Sequence, residues 1–222
     1  MISIARYAWS DYARSQRFLP PLVAYLGTLA ILYAFPPGPI LPAYGLTAAL
    51  ILPVCAWLTV NLHNSEDPVQ AGVTVVNAGG FGRVMIGKTT VAVGWLLALT
   101  VTSLIWPMVS HGQFYAPGDL AEGLVAHLTC GLTGIAIGTC CIRSIIRRQG
   151  YAFAIAFLLS LVGLFDRALA PANETIRLLS AAPPRPSAVV LLLLAVWIAA
   201  HTTKASAERV AQAAAAKSKS EK

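Results

Sequence analysis

Apolar and polar positions do not alternate over short distances in this chain; they separate into long blocks. No Asp, Glu, Lys or Arg occurs from Phe18 to Ser65, Thr89 to Gly118, Gly123 to Ile142, Gln149 to Phe165 or Pro186 to Thr203. A helix crosses the hydrocarbon core of a bilayer with about 20 apolar residues, roughly 17–25. Each of the four later blocks suits one crossing. The first is long enough for two, and it contains "FPPGPILPAYG" at 35–45, whose prolines break a helix interior. The pattern therefore predicts six spans, near 18–35, 43–63, 89–110, 123–142, 149–165 and 186–203. The expected class is an all-α integral membrane protein with a single transmembrane domain over 18–203 and a tail, 204–222, that frays at its end.

Composition strengthens this picture. Of 222 residues, 57% are hydrophobic and 11% charged, against about 25% charged in an ordinary soluble domain. The first 17 residues hold three arginines and an aspartate, with no short apolar core followed by a small-x-small cleavage site. The expectation is insertion by the first span without a cleaved leader.

The few charges set an orientation. With the N-terminus in the cytoplasm, the inner segments 1–17, 64–88, 143–148 and 204–222 hold 13 of the 16 basic residues, and the outer segments hold Arg167, Arg177 and Arg185. Basic residues favour the cytoplasmic side of short loops, so both termini are expected inside, in a multi-pass protein of the cell (inner or plasma) membrane. The net charge of +7 follows from this distribution, and no nucleic-acid partner is implied.

Two polar segments carry further pattern. In "SIARYAWSDYARSQR" (3–17), a helical period puts Arg6, Arg14 and Arg17 on one arc and Trp9 and Tyr12 on the other. That is an interfacial helix, with arginines toward headgroups and aromatic rings at the acyl boundary. Between spans two and three, Ser65, Glu66, Asp67 and Pro68 form a helix start. A short cytoplasmic helix is expected from about Glu66 to Asn77, ended at Ala78-Gly79-Gly80. Arg83 and Lys88 then approach the headgroups.

The same loop contains "GRVMIGKT" (82–89), which fits G-x-x-x-x-G-K-[ST] through Gly82, Gly87, Lys88 and Thr89. A P-loop needs a buried strand that delivers its glycines to a soluble helix N-terminus. The inner loop is too short for such a unit and the following helix is a span. The match is read as chance, so no cofactor is expected on this chain.

Six spans, both ends inside, an N-terminal amphipathic segment and this loop together resemble the membrane subunit of an ABC-2-type transporter. In that family the loop carries an acidic start, a helix, a Gly/Pro/Ser break, an arginine and a Gly-Lys leading into span three. Glu66-Asp67, Val73–Asn77, Ala78-Gly79-Gly80, Arg83 and Gly87-Lys88 stand in those places, while "EDPVQAGVTVV" replaces the usual Glu-x-Gly-Thr stretch. The resemblance implies an elbow helix over 1–17 and a coupling helix that docks on a separate ATPase, with Glu66, Asp67, Val73, Val76, Asn77, Arg83 and Lys88 as coupling residues. It implies two copies of that cytoplasmic ATPase, which hold the ATP and Mg²⁺, and a second permease subunit, identical or homologous. Export follows from the resemblance, the uncharged spans suit an apolar or amphipathic substrate, and the chain is not expected to be an enzyme by itself. The resemblance also implies a re-entrant or interfacial helix between spans five and six.

Other candidate chemistry is sparse. Cys55, Cys130, Cys140 and Cys141 read as packing residues, and His127 with Cys130 is too small a set for a metal. Gly131, Gly134 and Gly138 permit close helix approach, most simply within the subunit. The spans contain no Asp, Glu, Lys or Arg, which disfavours the alternatives: a secondary transporter or channel relying on intramembrane charge, and a membrane-embedded enzyme or assembly protein.

Overall fold

The computed structural model describes residues 2–35, 38–142, 149–165, 199, 201–206, 208 and 212. Among them there is no strand. Seven helices follow in order: α1 (Ile2–Ser15), α2 (Leu19–Leu32), α3 (Ile40–His63), α4 (Pro68–Ala78), α5 (Phe81–His111), α6 (Pro117–Cys140) and α7 (Gln149–Phe165). Most of the expected sixth span, the loop 166–186, the basic segment 143–148 and most of the tail lie outside the described residues.

Three helices, α3, α5 and α6, are long and apolar enough to cross a membrane. At 1.5 Å per residue the 24 residues of α3 and of α6 reach about 36 Å, and the 31 of α5 about 46 Å. A hydrocarbon core is about 30 Å thick. The first expected span, 18–35, is shorter as a helix, since α2 has 14 residues, while α7 covers 149–165 as expected. The helix of α2 ends at Leu32, ahead of the Pro36-Pro37-Gly38-Pro39 run, where residues preceding proline disfavour the helical region. The third expected span changes in the other direction. Its helix begins at Phe81, two turns before Thr89, so Arg83 and Lys88 belong to the helix and not to a loop.

Helix α3 is the centre of the bundle, in contact with α2, α5, α6 and α7. Its closest partner is α6, and small residues are the reason. A Cβ on Gly134 would overlap the Leu52 carbonyl, and one on Gly138 would sit 2.6 Å from Thr59 Cβ. Gly131 takes the side chain of Leu96 from α5 in the same way. The glycine stripe is therefore spent on contacts within the chain.

Polar side chains between the helices are matched locally. Tyr25 Oη meets Ser103 Oγ at 2.5 Å. His127 Nδ1 lies 2.6 Å from the Gly123 carbonyl and must donate to it, leaving Nε2 to accept from Thr47 Oγ1 at 3.0 Å. His127 is thus a satisfied residue of the bundle, and no group of three or more metal-ligating side chains occurs among the described residues. None of the four cysteines is in a disulfide, and Cys55, Cys130 and Cys141 are buried.

The outer surface is apolar. Along α5, Leu97, Val101, Ile105 and Val109 are all exposed at a spacing of four residues, an apolar stripe of about 18 Å. Ile155, Phe157 and Leu158 are exposed on α7.

Candidate functional site

The two polar helices, α1 and α4, gather at one end of the bundle, where α3 ends and α5 begins. Helix α4 has 11 residues, too few to hold a helix in water unaided. Its ends are fixed by caps. Asp67 is the N-cap, its side chain accepting from the Val69 N–H at 2.9 Å, and Pro68 supplies the first turn without needing a donor. At the far end Gly79 adopts φ 73, a conformation that costs a residue with a Cβ. The Gly80 N–H reaches the Val75 carbonyl at 3.0 Å and the Gly79 N–H that of Val76 at 3.1 Å, a Schellman end. Arg83 Nη1 adds a donor to the Ala78 carbonyl at 3.3 Å. The helix thus begins two residues later than the sequence pattern predicts. Ser65 is not its cap; its hydroxyl lies 3.0 Å from the Leu62 carbonyl and 3.2 Å from Asp11 Oδ2 of α1.

Glu66 is the residue that locks this end together. Its Oε2 accepts from Lys88 Nζ at 3.0 Å, with both side chains at most 5% exposed. Its Oε1 lies 3.2 Å from the Thr74 hydroxyl of α4. Lys88 Nζ also points at the His63 carbonyl, the last residue of α3, at 3.4 Å. One buried ion pair therefore joins the end of α3, the body of α4 and the first turns of α5. Lys88 does not reach the headgroups as expected: the early start of α5 turns it inward, below α4.

Helix α1 completes the assembly. Ile4 packs on the bare Cα of Gly87. Trp9 stacks on Trp95 at 5.2 Å, Phe18 stacks on the same ring at 5.0 Å, and Tyr12 meets it edge-on at 6.4 Å. Tyr12 is fully buried and Trp9 is half exposed. Burial holds the Tyr12 phenol well above its ordinary pKa, opposed by the charge of Arg17. The apolar arc of α1 thus meets α5, while Arg6 and Arg14 stay exposed. Two tethers fix the turn into α2: Arg17 Nη1 donates to the Asn64 carbonyl at 3.2 Å, and the Asn61 amide donates to the Arg17 carbonyl at 3.1 Å. Gln70 of α4 donates to Tyr7 Oη of α1 at 2.8 Å. Between the two helices lies a cleft of about 360 Å³, lined by Ser3, Tyr7, Val73 and Asn77 among others.

What this end presents outward is apolar. Val69, Val73 and Val76 are 78%, 57% and 79% exposed, at helical spacing along one face of α4. Asn77 and Arg83 are exposed beside them. Of the expected coupling residues, Val73, Val76, Asn77 and Arg83 face out, Asp67 caps, and Glu66 with Lys88 holds the helix from beneath. The sequence pattern missed that pairing. Its signal was an acid and a lysine 22 residues apart, one just after a long apolar helix and one just inside the next.

The P-loop-like residues have another role. Gly82, Gly87, Lys88 and Thr89 all lie within the first turns of one continuous helix, α5. There is no loop among them to wrap a phosphate, and the Lys88 ammonium is committed to Glu66.

No family model, curated protein or solved structure matches the chain.

Proposed function

We propose that this chain is the membrane-spanning subunit of an ATP-driven exporter, of the ABC-2 type that its sequence layout resembles, and that α4 with α1 is the docking surface for a separate cytoplasmic ATPase. The observation that carries this reading is the construction of α4. A helix that only linked α3 to α5 would need neither two caps nor a buried ion pair beneath it. This one is held rigidly on the bundle while three valines stay uncovered on its outer face. Burying a valine stabilises an interface by about 1.5 kcal/mol or more, so the stripe is a useful contact for a partner. Because Glu66 bonds to both α4 and Lys88, a push on α4 is delivered directly to the foot of α5.

In this reading the N-terminus and α4 face the cytoplasm, the 186–203 run completes six spans in the cell membrane, and two permease subunits work with two ATPase subunits. ATP and Mg²⁺ sit on the partner. The cargo is apolar or amphipathic, in keeping with helices α3, α5 and α6 that carry Asp, Glu, Lys or Arg only near their ends, at Arg83, Lys88, Asp119 and Glu122.

The test is reconstitution in proteoliposomes with and without the partner ATPase. Val73→Pro, which breaks a helix interior at a cost of about 3 kcal/mol or more, is expected to abolish coupled hydrolysis while the bundle still folds. Unchanged coupling in that variant would remove α4 from the mechanism.

A further inference from the structure

On the side of the bundle formed by α2, α3 and α7 runs a groove of about 760 Å³. Its walls are apolar, with Pro20, Ala24, Val54, Trp57, Phe153 and Phe157 along its length. Its polar residues are unevenly placed, because Arg17 and Asn61 stand together at the end nearest α1. The backbone of Arg17 is held by Asn61 and one guanidinium nitrogen by the Asn64 carbonyl. The rest of the guanidinium fork has no hydrogen bond or carboxylate partner among the described residues, and Arg17 is exposed. From Arg17 to Thr28, another lining residue, the chain climbs about 16 Å at helical rise. The groove thus starts at the end of the bundle that carries the polar helices and runs toward the bilayer middle.

We propose that this groove binds an acidic phospholipid of the surrounding leaflet. Its phosphate sits on the Arg17 guanidinium and one acyl chain lies along α2 and α3, past Trp57 and Phe157. A guanidinium pairs with a phosphate through a planar fork of donors, and the lining beyond it offers an acyl chain apolar contact with no polar side chain to desolvate except Thr28 and Tyr25. Tyr25 already bonds Ser103 and Thr28 bonds the Ala24 carbonyl at 2.7 Å. The head charge distinguishes this occupant from a neutral lipid, and the length of the groove distinguishes it from free phosphate. The inference rests on membrane insertion and not on the exporter reading.

The experiment is native mass spectrometry of the full chain released from nanodiscs of mixed phosphatidylglycerol and phosphatidylcholine, with thermal unfolding measured alongside. The wild-type chain is expected to retain phosphatidylglycerol in preference to phosphatidylcholine and to unfold at higher temperature in its presence. Arg17→Gln should lower that preference at least tenfold. Ala154→Trp, which fills the groove, should remove bound lipid altogether, and Arg14→Gln, which lies outside it, should change neither. Circular dichroism and gel filtration check that each variant is folded. Equal retention of the two lipids, or an Arg17→Gln variant that keeps the preference, overturns the proposal. So does cross-linking of a cysteine placed at Ala154 to a second copy or to residues 186–198, since protein would then fill the groove.

Discussion

Lys88 shows how one side chain changes the meaning of a motif. Read along the sequence, it completes a phosphate-binding pattern or anchors a span at the headgroups. In the fold it is buried against Glu66 at 3.0 Å. Removing one member of a buried pair leaves an uncompensated charge and costs about 3–5 kcal/mol, whereas replacing both with apolar residues is often neutral. Lys88→Met alone is therefore expected to lower the unfolding temperature markedly, and Glu66→Leu with Lys88→Met to recover most of the loss. Thermal unfolding of the purified variants measures this; equal, additive losses would mean the pair is not coupled. The glycines give a second residue-level expectation. Gly134→Ala forces a Cβ into the Leu52 carbonyl, and overpacking of this kind costs about 1–3 kcal/mol, while Gly72→Ala, on the open face of α4, has nothing within 4 Å and should be tolerated.

Among the helices, α4 depends most on its surroundings. It is short, capped at both ends, and held from below. Val73→Asp and Val76→Asp keep the helix but charge its outer face, and each is expected to weaken partner binding about tenfold or more, as about 1.4 kcal/mol would; a pull-down titration reads this, and unchanged affinity would mean that the partner docks elsewhere. Much of this architecture is legible in the chain. The charge-free blocks place α3 and α7 within about three residues, because in a bilayer the absence of charge over some twenty positions is a length measurement. Helix α6 begins at Pro117, six residues ahead of the expected 123, because its first turns carry Asp119 and Glu122 and a charge does not end a helix. The Ser65-to-Pro68 and Ala78-Gly79-Gly80 signals give α4, with its start two residues too early because Asp67 and not Ser65 is the cap. The start of α5 is not legible, because Arg83 and Lys88 look like loop residues until their partners are known. Those partners, the Ala78 carbonyl and Glu66, come from tertiary contact, on which periodicity is silent. The arc of α1 is legible as amphipathic, but not that α5, and not lipid alone, covers it.

Across the whole molecule, α1, α4 and residues 201–206 share one end. Ser206 Oγ donates to the Thr139 carbonyl near the end of α6 at 3.1 Å, the same end at which α3 stops and α5 starts. The other end carries the α5–α6 connection at 112–116. With the basic residues on the cytoplasmic side, a cysteine at Gln113 in a Cys-free background should react with an impermeant maleimide in intact cells and one at Val76 should not; the reverse pattern would invert the orientation. The account as a whole rests on energy arriving from outside this chain through α4. The most direct measurement is ATP binding and hydrolysis by the tagged chain, purified from its native membrane with its partners and again after they are stripped away. The account predicts stoichiometric ATP binding and hydrolysis in the complex, their loss with Val73→Pro, and none in the isolated chain. Stoichiometric ATP binding by the isolated chain, or a native complex devoid of ATPase, would contradict it.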